Sequence, residues 1–294
     1  MAASESIINM STTTSIQSIK NKLFQDARHF QILYLTAFLV FGVTELNWEI
    51  TTNKIVTVLG AALITQFLWL KIVGGKLSGL KSALITALGL LLILQSMSLL
   101  TMGVATVLAI SSKFLIRIKN KHLFNPANFG IIIAILIFQD AWISPGQWGS
   151  SMLFLSVLTV LGGFILVKVG RLETSLIFLG SLFLMEYSRT VLYQGWEMDV
   201  LVHKFSSGTL LLFTFFMITD PMTTPNKKKA RVVWAIILAA ATFILSNWVQ
   251  IYTAPIWILF FMTPITVILD KVYPSLKFEW DGRKAENEKS QNAN

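Results

Sequence analysis

Apolar runs long enough to cross a bilayer follow one another almost without interruption, and this succession constrains the chain more than any other feature. At roughly 17–25 residues per crossing, about ten can be marked off: 30–47, 55–73, 82–99, 101–117, 127–143, 151–169, 173–192, 203–219, 232–250 and 254–271. Such runs are solvated by lipid or by one another, and a helix satisfies its backbone groups without outside partners. The expected fold class is therefore all-α integral membrane. Connections between runs are short and leave no room for a soluble domain. The chain is 54% hydrophobic and 13% charged, against about a quarter charged in soluble domains. Runs three and four nearly merge, which makes their division the least distinct.

Lysine and arginine set the expected direction. With the N-terminus cytoplasmic, 21 of the 24 bases fall inside, and only Lys54, Arg189 and Lys204 lie outside. Glu45, Glu49, Glu197 and Asp199 fall outside, with Trp48, Trp142, Trp148, Trp196, Trp248 and Trp257 as an expected headgroup belt. Both termini are expected to be cytoplasmic. Residues 1–29 form a polar segment that does not read as a cleaved signal peptide. Its Ile16, Ile19, Leu23 and Ala27 suit an amphipathic helix on the inner leaflet, or a partly disordered tail. Residues 273–294 form a polar cytoplasmic tail.

The net charge of +9 sits in short loops between apolar runs, which points to the lipid bilayer as partner rather than nucleic acid. With no cysteine, disulfides and iron–sulfur ligation are excluded. His29, His122 and His203 do not suit paired haem ligation, and no acidic cluster suits a divalent metal.

Two stretches align without a gap at an offset of 125 residues: SALITALGLLLILQSMS from Ser82 and SGTLLLFTFFMITDPMT from Ser207. Gln95 falls on Asp220 and Met97 on Met222. An odd number of spans separates the copies, so the second is inverted, as in proteins whose sites lie between inverted repeats. NPAN (Asn125 to Asn128) and TAPIW (Thr253 to Trp257) each place proline in a first helical turn. Two inverted five-helix halves follow, 30–150 and 151–272.

Asp220 precedes Pro221, which biases it away from helical angles. It reads either as a helix stop at the boundary or as a polar group in the interior, with the lysines near 228 among its candidate partners. Ser207, Gly208 and Thr209 open the eighth span and offer hydroxyls and amides to an anion or a flavin phosphate, or simply close helix packing. Glu186 and Arg189, three apart, are expected to neutralise each other. Lys113 is expected to snorkel to the inner surface.

LFNPANFG and SSGTLLLFTFFMITDPMTTP, with the basic run that follows, resemble the membrane subunits shared by two ion-pumping redox complexes. These are RnfD of the Rnf electron-transport complex and NqrB of the sodium-translocating NADH:quinone oxidoreductase. Ser207, Gly208, Thr209, Thr219, Asp220, Asn125 and Asn128 occupy the motif positions. The resemblance implies a bacterial inner-membrane subunit that passes electrons through a noncovalent flavin (FMN or riboflavin) or a quinone, coupled to ion movement. Pumping members also esterify FMN to a threonine in a long loop after the fifth span. Here FQDAWISPGQWGSSM makes that link and holds no threonine, so no covalent flavin is expected and a flavin-carrying partner in the complex is implied. A channel or transporter for a small solute or ion, and a pure assembly scaffold, are the competing readings.

Overall fold

The computed structural model describes residues 26–118, 121–143, 152–276 and 278, with 152–155 described by their backbone alone. The proposed amphipathic segment before residue 26, most of the tail and Trp148 lie outside the described residues. The first part of the chain forms α1 (Ala27–Thr44), α2 (Thr52–Val73), α3 (Leu80–Ile93), α4 (Leu99–Leu115) and α5 (Pro126–Ile137). Short extended pieces lie between them: β1 (Leu94–Ser96), β2 (Arg117–Ile118), β3 (Lys121–His122) and β4 (Ala141–Ile143). The second part forms α6 (Met152–Val169), α7 (Leu172–Tyr187), α8 (Met198–Phe205) and α9 (Gly208–Leu212). It ends with α10 (Lys228–Trp248), α11 (Ala254–Met262) and α12 (Ile265–Val272). Both α7 and α9 continue as widened π turns, Ser188–Tyr193 and Phe213–Met217.

Helix starts are set by local chemistry. Asp26, Thr51, Ser98, Asn125 and Ser207 each accept a bond from an amide in the first turn, satisfying donors that a helix leaves unpaired. Gly74 closes α2 at φ 64, the left-handed conformation in which glycine avoids a Cβ penalty.

Every expected apolar run contains a helix. Four helical segments are long and apolar enough to span: α1, α2, α7 with its π turn, and α10. The α8–α9 pair is bent by 54° and the α11–α12 pair by 53°, which gives six if each pair is one span. The chain is a multi-pass, all-helical membrane protein. Two more of the expected spans are not continuous helices either. Run 82–99 leaves the helix at Ile93 and run 127–143 at Ile137, and their ends pair antiparallel as Leu94↔Ile143, Gln95↔Trp142 and Ser96↔Ala141. Extended backbone in apolar surroundings needs a hydrogen-bonding partner, and β1 and β4 supply one another. Asp140 locks the junction, accepting from the Ser96 hydroxyl (2.6 Å), the Ser98 amide (3.2 Å) and the Thr101 hydroxyl (2.9 Å).

Within the first part α2 packs on α4 and α4 on α5; within the second, α7 packs on α10 and α10 on α11. Between the parts, α1 meets α6 and α5 meets α11. Four of the ion pairs gather at one face. Asp26 holds Arg28 and Lys81, Lys121 holds Asp270, and Arg231 holds Glu173. Burial alone would raise the Asp26 carboxyl; the Arg28 and Lys81 bonds outweigh it and hold it far below normal. Both ends of the described chain reach this face, Asp26 through Lys81 and Phe278 through its contact with Arg171. Of the expected aromatic belt, Trp142, Trp196 and Trp248 are exposed. Trp48 is not: it folds back over Gly42, where a Cβ would meet its ring at 2.2 Å.

Candidate functional site

The N-terminus of α5 and the turn after α9 meet at one place. Pro126 occupies the first turn of α5, and the Asn125 side-chain oxygen accepts from the Asn128 amide at 3.1 Å. That cap turns the Asn125 Nδ2 outward, where it donates to Asp220 Oδ2 at 3.4 Å. Pro221 ends the helical path, and Asp220 builds its own turn. Oδ1 accepts from the Met222 amide at 3.0 Å, while the Asp220 carbonyl accepts from the Thr223 and Thr224 amides at 3.1 Å. Burial pushes the Asp220 carboxyl above the usual carboxylate range. The Met222 amide and then the charges of Lys113, Lys121 and Arg171 oppose that rise. Its side chain thus lies in the interior, held by Asn125 and the Met222 amide and not by the lysines near 228.

One step further, Asn128 is fully buried and its Nδ2 donates to the Ile256 carbonyl in the first turn of α11 at 2.8 Å. Its Oδ1 is buried with no hydrogen-bond partner. An amide oxygen left this way costs on the order of 1–3 kcal/mol.

Asn125 and Asp220 line a cavity of about 80 Å³, with Ser82, Thr86 and Gly89 of α3, Arg28 and Gln31 of α1, and His122. The other walls are apolar, chiefly Leu35, Ile85, Leu92 and Phe216. A cavity of this size holds a few waters.

The other predicted residues lie elsewhere. Ser207 caps α9 through the Leu210 amide at 3.5 Å. With Thr209 it lines a second cavity of about 90 Å³ beside Glu186, Lys204, Thr242 and Thr253. Gly208 opens the same helix. Roughly 15 Å of helix separates this group from Asp220. The Thr219 hydroxyl is taken by the Phe215 carbonyl at 2.5 Å, a bond internal to the turn.

Two expectations are corrected. Glu186, 1% exposed, accepts from Lys204 at 2.5 Å and from Asn247 at 2.8 Å. Arg189 turns instead to the Gln194 side chain at 3.1 Å and to the Trp248 ring. Three residues apart on a helix allows a contact, but Glu186 points into the protein and Arg189 does not. Lys113 does not snorkel either. It is 2% exposed and donates inward to the Ser82 carbonyl at 3.1 Å and hydroxyl at 3.3 Å.

The comparison with protein families decides what this arrangement is related to. Residues 143–278 match the NQR2, RnfD, RnfE family. The motif resemblance points to the same family. The matched segment holds SSGT, TDP and the turn between α9 and α10, and amounts to slightly under half of the chain. NPAN lies before it. No match is found among curated proteins.

A flavin is the cofactor that the family resemblance implies. The lining is amphipathic, with Ser82, Thr86 and Asn125 beside Leu35, Ile85 and Leu92, but a cavity of about 80 Å³ is smaller than the roughly 150 Å³ that a single benzene ring takes, so the cavity as it stands does not fit the flavin ring. When bound, a flavin would supply electron transfer that no side chain at this site provides.

Proposed function

We propose that the chain is an integral membrane subunit of an electron-transfer complex of the Rnf and Nqr type. It holds a flavin (FMN or riboflavin) or a quinone without a covalent bond, at the contact between two inverted halves. The observation that carries this reading is the meeting of Asn125 and Asp220, 95 residues apart, on the wall of one cavity between α1, α3, the start of α5 and the turn after α9. The family match over residues 143–278 supports the class of complex. The corresponding contacts of α2 with α4 and of α7 with α10 support two related halves. With the basic face cytoplasmic, as the loop charges favour, the cavity lies toward the cytoplasmic side of a bacterial inner membrane. Ion coupling belongs to the same reading. The threonine-free link after α5 leaves covalent FMN to another member of the complex.

The test is an absorbance spectrum of the detergent-purified protein with its copurifying partners, followed by acid precipitation. Flavin released to the supernatant is expected. Flavin staying with this chain in the pellet refutes the noncovalent reading, and no chromophore in chain or partners refutes the redox reading. Asp220→Asn is expected to lower cofactor retention while membrane insertion is unchanged.

The second cavity, at the far end of α9, favours one other reading: a path for a small solute or ion between the halves. Colourless protein with solute flux in liposomes would select it.

A further inference from the structure

A groove of about 500 Å³ follows the seam where α1 meets α6. Its rims are Leu33, Ala37 and Phe41 on α1 and Val157, Leu161 and Phe164 on α6, all exposed. The polar side-chain atom on the lining is the Tyr34 hydroxyl, on the floor, and it donates across the seam to the Leu158 carbonyl at 2.7 Å. An occupant therefore meets an apolar surface along the whole groove.

One end differs. Phe30 closes the groove toward the ion-paired face, where α1 begins, and its ring meets Phe164 edge to face at 6.1 Å. Lys168 follows Phe164 by one turn of α6, and its ammonium lies 3.7 Å from the centre of the Phe30 ring. A lysine is a point charge suited to phosphate. From Phe30 to Phe41 the helix rises roughly 16 Å, close to the hydrocarbon depth of one leaflet, about 15 Å. The room fits too. A six-carbon ring takes a cavity of roughly 150 Å³, so about 500 Å³ takes on the order of twenty carbons, a single acyl chain. A helix, about 10 Å across, is too thick to enter.

We propose that this groove is a binding site for one anionic phospholipid, with an acyl chain along the seam and the headgroup phosphate beside Lys168. Apolar length, leaflet depth and a cation at headgroup level are the three features such a lipid needs, and the groove joins them. The bound chain touches α1 of the first part and α6 of the second, so it adds to the contact between them. The site needs neither a cofactor nor an electron path, and it stands apart from the redox reading. One lysine at a membrane surface favours an anionic over a zwitterionic headgroup by about fivefold.

The experiment uses full-length protein in detergent, washed free of lipid, as wild type, Lys168→Gln, Ala37→Phe and a control, Lys229→Gln. Lys229 is exposed on α10 and away from the groove. Each protein is titrated with phosphatidylglycerol or, separately, with phosphatidylcholine, and bound lipid is counted by native mass spectrometry. Melting temperatures are recorded with and without lipid. Wild type is expected to hold one phosphatidylglycerol per chain, about fivefold more tightly than phosphatidylcholine, with a higher melting temperature when loaded. Lys168→Gln loses the preference and keeps the binding. Ala37→Phe fills the groove and weakens both lipids at least tenfold, on the scale of a lost buried chain segment. Lys229→Gln behaves as wild type. Should Ala37→Phe unfold without lipid, Val157→Trp fills the groove from α6 instead. Equal affinity for the two lipids in wild type overturns the proposal, as does undiminished binding in the filled variants. An equal loss of preference in Lys229→Gln overturns it too, since the charge effect is then general. A long-tailed quinone that displaces phosphatidylglycerol mole for mole gives the groove to the quinone, and a dimer that binds lipid only after dissociation gives it to a second copy; either result overturns the proposal.

Discussion

Gly130 offers a measurement of how tightly the candidate site is held. It lies two residues past Asn128, where α5 packs on α4. A Cβ at this position would sit 2.7 Å from the Ala109 Cβ and 2.9 Å from the Ala105 carbonyl oxygen. One is a methyl fixed to a helix and the other is backbone, so neither can rotate aside. Gly130→Ala must therefore push α5 away from α4. Overpacking of this kind costs about 1–3 kcal/mol, while replacing glycine in a helix returns up to about 1 kcal/mol. Gly180, on the exposed side of α7, separates the two effects, because nothing lies within 4 Å of its added Cβ. Gly180→Ala should match or exceed wild type in stability, with Gly130→Ala about 1–3 kcal/mol below it. At roughly 2–4 °C per kcal/mol for large domains, the gap is readable by thermal unfolding in detergent, followed by tryptophan emission. Moving α5 also moves Asn125 and Asn128, so ligand retention should fall with the melting temperature in Gly130→Ala alone. Equal melting temperatures for the two variants would refute the close α4–α5 contact.

Two further outcomes are expected. Lys204→Met strands the buried Glu186 carboxylate with Asn247. The penalty for breaking a buried pair, about 3–5 kcal/mol, shrinks to about 1–2 kcal/mol because the Lys204 side chain is 41% exposed. Arg189→Met should stay within about 0.5 kcal/mol of wild type, and the opposite order in melting temperature would restore the pairing of Glu186 with Arg189. Asp220 governs a pH effect. Its carboxyl is raised in the folded protein, so its contribution to stability is complete below the unfolded value near 4 and is lost as pH rises through the folded value. Asp220→Asn should flatten that decline in a melting-temperature series from pH 4 upward, and an unchanged slope would assign it to another group.

The sequence made the helices legible because each apolar run had to bury its backbone in itself, and only a helix does so locally. Asn125 and Asp220 were legible because each adjoins a proline, which fixes where a helix begins or stops. What stayed hidden depends on distant partners. LILQSMSLL reads as one apolar run, yet Gln95 leaves the helix because Trp142 is there to pair with it. Lys113 reads as a snorkelling lysine because the local sequence shows only its distance from the surface; Ser82, on another helix, turns it inward. Glu186 has a base three residues away, but its orientation sends it to Lys204 and Asn247. SSGT and TDP lie on one span and read as one site, whereas the length of α9 and its π turn sets them at opposite ends.

The two aligned stretches end their helices by different chemistry. After α3 the chain turns into a neutral extended pair, with Gln95 buried in it. After α9 it turns on a carboxylate whose own side chain caps the turn. The first stretch thus contributes no acid to the cavity, whose acid among its lining residues is Asp220. The α5–α11 contact is held by the bond from the Asn128 side chain to the Ile256 carbonyl as well as by packing, so the N-terminus of α5 is fixed on one side by α11 and on the other by the turn at Asp220.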